Sequence, residues 1–241
     1  VRVVTSSHAE LRRAERLQIW GYECLMRAGD ADGELCNPGQ LLAWAEQENL
    51  LPMLDRVCRE QHIHNAAAVP APDHARFLIN FLPTVIYEPK VCLATTRRAA
   101  RKAGLPAERI ILEVVESHEV ADAGYLKRIL DEYRAAGFGV ALDDVGGGYA
   151  GLTLMGELDP DLIKIDRGLV TRAPASEIHR SICRALVEIG QKNDKLVLAE
   201  GIETDAEWQA ARELGVDLVQ GFRFGRPSPE PALEALDRGP A

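Results

Sequence analysis

The chain lacks any pair of cysteines at redox or metal spacing. Its five (Cys24, Cys36, Cys58, Cys92, Cys183) are odd in number and scattered. This argues against a disulfide framework and reads as reduced thiols in a cytoplasmic protein. Positive charge is scarce too: 28 Lys and Arg stand against 37 Asp and Glu, a net charge of −9. That argues against a DNA- or RNA-polymer surface, which needs clustered cations, but not against a small anion met by bound metal. No apolar run approaches the roughly 18 residues of a membrane span. Linkers, low-complexity tracts and repeats are missing, and 241 residues with 46% hydrophobic content suit one large α/β domain or two small ones. There is neither an initiator Met nor a signal-peptide pattern, so the sequence reads as a piece of a longer protein.

What is present alternates. Strand-like apolar runs fall at Ala75–Phe81, Ile110–Val115, Gly139–Leu142, Leu162–Ile165, Leu196–Ala199 and Leu218–Val219. Between them, Leu126, Ile129, Leu130 and Tyr133 recur at helical spacing over Asp122–Ala136, with Gly137 as the stop. Asn37-Pro38 opens an earlier helix. Thr204 and Glu207 have the spacing of a capping box, and Gly215 ends that helix. The alternation predicts parallel βα units.

Polar residues gather where these strands end: Glu23, Asn80, Glu113, Asp143 with Asp144, Asp166, Glu200 and Gln220. A barrel brings all its strand ends to one mouth, whereas an open sheet spreads them along an edge, so the barrel is the simpler account. Asp143 and Asp144 repel unless a proton or cation intervenes, and the glycines after them permit a tight, mobile loop. Carboxylates and an amide, without a Cys/His cluster, favour Mg²⁺ or Mn²⁺. Glu113 points into the mouth, and Glu116, past the strand end, is free to hold a neighbouring loop. Lys164 and Asp166 share a strand face; the lysine either neutralises the acids or meets a reacting oxygen. Glu200 reads as a ligand, a general base or a structural acid. His62 and His64 read as surface residues.

Glu23-Cys-Leu-Met-Arg27, Asn80, Glu113-Val-Val-Glu116, Asp143-Asp144, Lys164-Ile-Asp166, Ala199-Glu-Gly-Ile-Glu203 and Gln220-Gly221 together resemble the EAL domain, from about Trp20 to Pro227. That family comprises bacterial cyclic-di-GMP phosphodiesterases. The resemblance implies a single domain over 1–241, a modified (β/α)₈ TIM-like barrel with an antiparallel first strand, and hydrolysis of cyclic-di-GMP to linear pGpG. It implies two Mg²⁺ or Mn²⁺ ions: Glu23, Asn80, Glu113 and Asp143 resemble ligands of one, and Asp143 and Asp144 those of the other. Lys164 resembles the lysine near the attacking water and Glu200 the base. Leu25, Arg27, Glu203, Gln220 and Pro227 resemble groove residues, and Glu116 the acid that anchors the glycine loop. A homodimer and an attached sensory or GGDEF-type domain are also implied. The loop Asp144–Gly151 departs from the pattern through Val145, Gly147, Ala150 and Gly151, predicting a looser lid. The family's first-strand Gln has no clear match, with Arg2 standing nearby. A catalytically silent cyclic-di-GMP receptor and another metal-dependent barrel phosphoesterase are the alternatives.

Overall fold

The structure, a computed structural model, describes residues 2–29, 35–82, 89–115, 122–148 and 151–229. It opens with strands β1 (Arg2–Arg13), β2 (Ile19–Gly29) and β3 (Leu35–Cys36), then helices α1 (Pro38–Gln47) and α2 (Leu51–Ala68). Strands and helices then alternate through β4 (Arg76–Phe81), α3 (Pro89–Ala103), β5 (Ile110–Val115), α4 (Ala123–Ala135) and β6 (Gly139–Val145). The chain continues as α5 (Gly151–Leu158), β7 (Leu162–Ile165), α6 (Arg167–Arg172), α7 (Glu177–Lys192), β8 (Leu196–Ala199), α8 (Asp205–Leu214) and β9 (Leu218–Val219).

The sheet order β1-β9-β8-β7-β6-β5-β4-β2 closes on itself because β1 also pairs with β2, and β3 hangs on the edge of β2. β1 is antiparallel to both barrel neighbours, and the other barrel strands run parallel. This is the modified barrel with an antiparallel first strand. Among the described residues no helix is long and apolar enough to cross a membrane.

Local chemistry sets the helix ends as expected. Asn37 caps α1 with its side chain, and Asp122 caps α4. Thr204 and Glu207 complete a reciprocal capping box on α8, and Gly215 stops it in the left-handed conformation at φ 77°. The apolar face of α4 is buried through Leu126, Ile129, Leu130 and Tyr133.

Alternation then sorts the strand side chains. Tyr22, Phe77, Ile79, Leu112, Leu142 and Ile163 join the large core between sheet and helices. The intervening residues Leu11, Leu78, Ile111, Ala141, Leu162, Leu198 and Leu218 form a separate apolar layer inside the barrel. With a side-chain period of two, the next inward position toward the strand ends holds Asn80, Glu113, Asp143, Lys164, Glu200 and Gln220. The polar ring is thus one step above an apolar floor.

Two strand boundaries differ from expectation. β6 runs on to Val145 instead of stopping at Leu142. Its pairing with β7 slips between Leu142 and Val145, and Asp144 has φ 57°. This bulge reorients Asp144, so two consecutive acids need not face opposite sides of the sheet. Glu23 is not at a strand end but inside β2, which continues to Gly29 as one arm of the hairpin with β1.

Candidate metal centre and active site

Lys164 sits at the hub, almost wholly buried. Its Nζ lies 2.6 Å from Glu113, 2.7 Å from Glu200, 2.8 Å from Asp143 and 3.8 Å from Glu23. Burial alone pushes an ammonium's pKa down, but the surrounding carboxylates outweigh it and hold Lys164 well above its ordinary range. Asp166 does not share this role. It lies past the end of β7, and its Oδ1 accepts from Gly168 N at 2.9 Å to cap α6.

The acids outnumber the cation. Burial, then Glu23 and Asp143, raise the Glu113 carboxyl well above the usual range against the pull of Lys164, and its Oε2 has no hydrogen-bond partner among the described residues. Glu200 is pushed up to about 8 by burial, with Asp143 and Glu23 adding to it and Lys164 opposing. Burial and the neighbouring Asp143 raise Asp144 to about 6. Each shift is what a buried carboxylate cluster shows when it has too little positive charge.

That deficit has a geometry. Glu23, Glu113 and Asp143 each offer an oxygen within 4.8 Å of the others, and so do Asp143, Asp144 and Glu200, with Asp143 common to both sets. Five carboxylates face one ammonium, so two divalent cations would balance the remaining charge. All the donors are hard oxygens, and Asn80, in register beside Glu113, adds an amide. The residues therefore fit a site for hard divalent metal.

Above this centre lies a cavity of about 310 Å³. Leu25, Glu203, Gln220 and Pro227 line it. Gln220 Nε2 donates to Glu23 Oε2, while its buried Oε1 has no partner among the described residues. Gly221 holds this strand end: its φ is 155°, and a Cβ there would collide with the backbone of Ile202. Arg27 is not part of the cavity wall; its Nη1 donates to Met26 O at 2.8 Å. Glu116 lies outside the described residues.

Arg167 and Phe222, which the sequence reading missed, also line the cavity. The Arg167 stem crosses Gly201, and its guanidinium meets Glu203 at 2.8 Å. Its place two residues past the end of β7 was the available signal, but a cation does not stand out among the strand-end acids. At the base of the glycine loop, Gly146 has φ 92° and a Cβ there would overlap Leu169. Close packing on α6, as well as freedom, therefore explains this glycine. His62 is buried in α2 rather than on the surface, whereas His64 is exposed. Neither joins a group of potential metal ligands among the described residues.

Comparison with known proteins agrees with this architecture. The EAL domain model matches residues 12–227. The bifunctional diguanylate cyclase/cyclic di-GMP phosphodiesterase MucR of Pseudomonas aeruginosa is 31% identical over 221 residues, covering 89% of this chain and 32% of that protein. The chain thus spans about a third of the length of the curated relatives it matches. A standalone versatile EAL protein from Vibrio cholerae, solved with c-di-GMP bound, superposes with a TM-score of 0.86 at 30% identity over 97% of both chains. The manganese/cy-diGMP complex of Klebsiella pneumoniae BlrP1 gives 0.85 at 27% identity, over 94% of this chain and 56% of that one. This chain belongs to the EAL domain family.

Proposed function

We propose that this chain is a phosphodiesterase that hydrolyses cyclic-di-GMP to linear pGpG with the help of two Mg²⁺ or Mn²⁺ ions. The observation that carries the reading is the pair of carboxylate sets sharing Asp143 around Lys164. The relatives' names and bound molecules support the choice of substrate.

Glu23, Asn80, Glu113 and Asp143 would hold one ion, and Asp143 with Asp144 the other. When bound, such ions supply positive charge to a phosphate and lower the pKa of water to about 7. Glu200 takes the proton from the attacking water, and Lys164, 2.7 Å away, keeps that carboxylate oriented. The water oxygen bonds to phosphorus, the bond from phosphorus to the 3′ oxygen breaks, and that oxygen leaves as a hydroxyl by taking a proton from solvent, to which Glu200 later returns its own. Leu25 and Pro227 offer apolar contact to a guanine, while Gln220 and Glu203 offer polar contact. A cytoplasmic homodimer, attached to a sensory or GGDEF-type domain, belongs to the same proposal.

The test is to incubate the purified chain with cyclic-di-GMP and Mn²⁺, Mg²⁺ or EDTA and to separate products by chromatography. The expected result is pGpG with either metal and none in EDTA. Tight binding without turnover in both metals would overturn the proposal in favour of a silent receptor.

A further inference from the structure

The strand starts at the opposite pole of the barrel leave a second cavity, of about 500 Å³. This is within the usual size range for small organic ligands. Trp20, Ile111, Leu162 and Leu196 give it an apolar floor, and Gly139 leaves space where another strand would place a side chain. The floor is the underside of the apolar layer that supports the acidic mouth.

Its wall is cationic. Arg13 has its guanidinium carbon 5.9 Å from the Trp20 ring centroid. Arg76 donates from Nη1 to His74 O at 3.0 Å. Neither pairs with a carboxylate among the described residues. A third arginine, Arg134, is already committed to Asp131, Asp161 and the carbonyls of Leu158 and Asp159. Asp161 is further occupied by Val140 N at 2.9 Å. Two open guanidiniums therefore face one remaining wall carboxylate, Glu108.

We infer that this cavity binds a small organic anion with a flat apolar body. The guanidiniums of Arg13 and Arg76 grip its carboxylate, sulfonate or phosphate, and the body lies against Trp20 and Leu196. Arginine suits both parts, since it forks onto anionic oxygens and stacks on aromatic faces. The site is separate from the phosphodiesterase centre and does not rest on that assignment.

Calorimetric titration of the full chain with naphthalene-2-sulfonate tests this, with the uncharged naphthalene-2-sulfonamide as control. EDTA keeps the mouth free of any metal that could hold the probe's sulfonate there. One saturable site is expected, with the sulfonamide much weaker. Arg13→Ala and Arg76→Ala should each weaken binding about tenfold, with thermal unfolding unchanged. Glu108→Gln should tighten it a few-fold. Absence of saturable binding, equal affinity for the sulfonamide, or indifference to both arginine substitutions would overturn the inference.

Discussion

The two inner layers of the barrel are one residue pair apart along each strand and differ in almost everything else. The lower layer, with Leu78, Leu162, Leu198 and Leu218, is apolar and self-sufficient. The upper layer, with Glu113, Asp143, Lys164 and Glu200, buries charge that its own members do not balance. Hydrophobic burial stabilises the first in any condition, whereas the second is stable only with protons or added cations. The fold thus holds up a site that is itself unfavourable, and chemistry follows from that imbalance.

The sharpest break between the layers is kinetic. Glu200→Gln preserves the size of the side chain but removes its basicity. Turnover of cyclic-di-GMP should fall by about 10²–10⁴-fold, while affinity for the nucleotide stays within a few-fold. Unchanged turnover in steady-state assays would remove Glu200 from the mechanism.

Stability separates the layers next. Lys164→Met removes the ammonium at the hub of the acid cluster, and breaking such a buried pair costs about 3–5 kcal/mol. The metal-free variant should melt about 10 °C below the parent, and Mn²⁺ should recover much of that gap by replacing the lost charge. Leu198→Ala opens a cavity in the lower layer at a cost of about 2–5 kcal/mol. Its deficit should persist in Mn²⁺, because no charge was lost. Thermal unfolding of both variants with and without metal makes the comparison. Equal rescue of the two would show that the layers are not energetically distinct.

How much of this was legible follows the same division. The strands Ile110–Val115, Leu162–Ile165, Leu196–Ala199 and Leu218–Val219 lie where their apolar runs predicted, because strands buried on both faces read as unbroken hydrophobic stretches. The polar ring was legible through its place at the ends of those runs. The β1–β2 hairpin was not, since its charged residues mask the pattern: Glu10 and Arg12 are buried as an ion pair. Asp55 and Arg59 mislead in the same way. Their i,i+4 spacing looks like a surface pair, yet α2 buries both, and Asp55 accepts from Leu82 N at 3.2 Å, two residues beyond Asn80. The bulge at Asp144 had no sequence signal, because a left-handed aspartate looks like any other.

The smallest expected effect is a pH slope in the metal-free protein. Glu200 moves from an ordinary 4.5 to about 8, and Asp144 from 3.8 to about 6. Between those limits the folded chain binds more protons than the unfolded one, so each group contributes stability at low pH that is lost as pH rises through its folded value. Asp131, Asp159 and Glu207 are shifted the other way, and their contribution is lost only as pH falls through their lowered values. The metal-free protein should therefore be most stable near pH 5 and lose several degrees of melting temperature by pH 8. Saturating Mn²⁺ binds the deprotonated carboxylates and should flatten or reverse that slope, by the mass action of a ligand on the folded state. Melting curves from pH 5 to 8.5 in EDTA and in Mn²⁺ measure both slopes. A flat profile in EDTA would mean that the mouth holds its charges without strain, and the contrast between the layers would lose its electrostatic half.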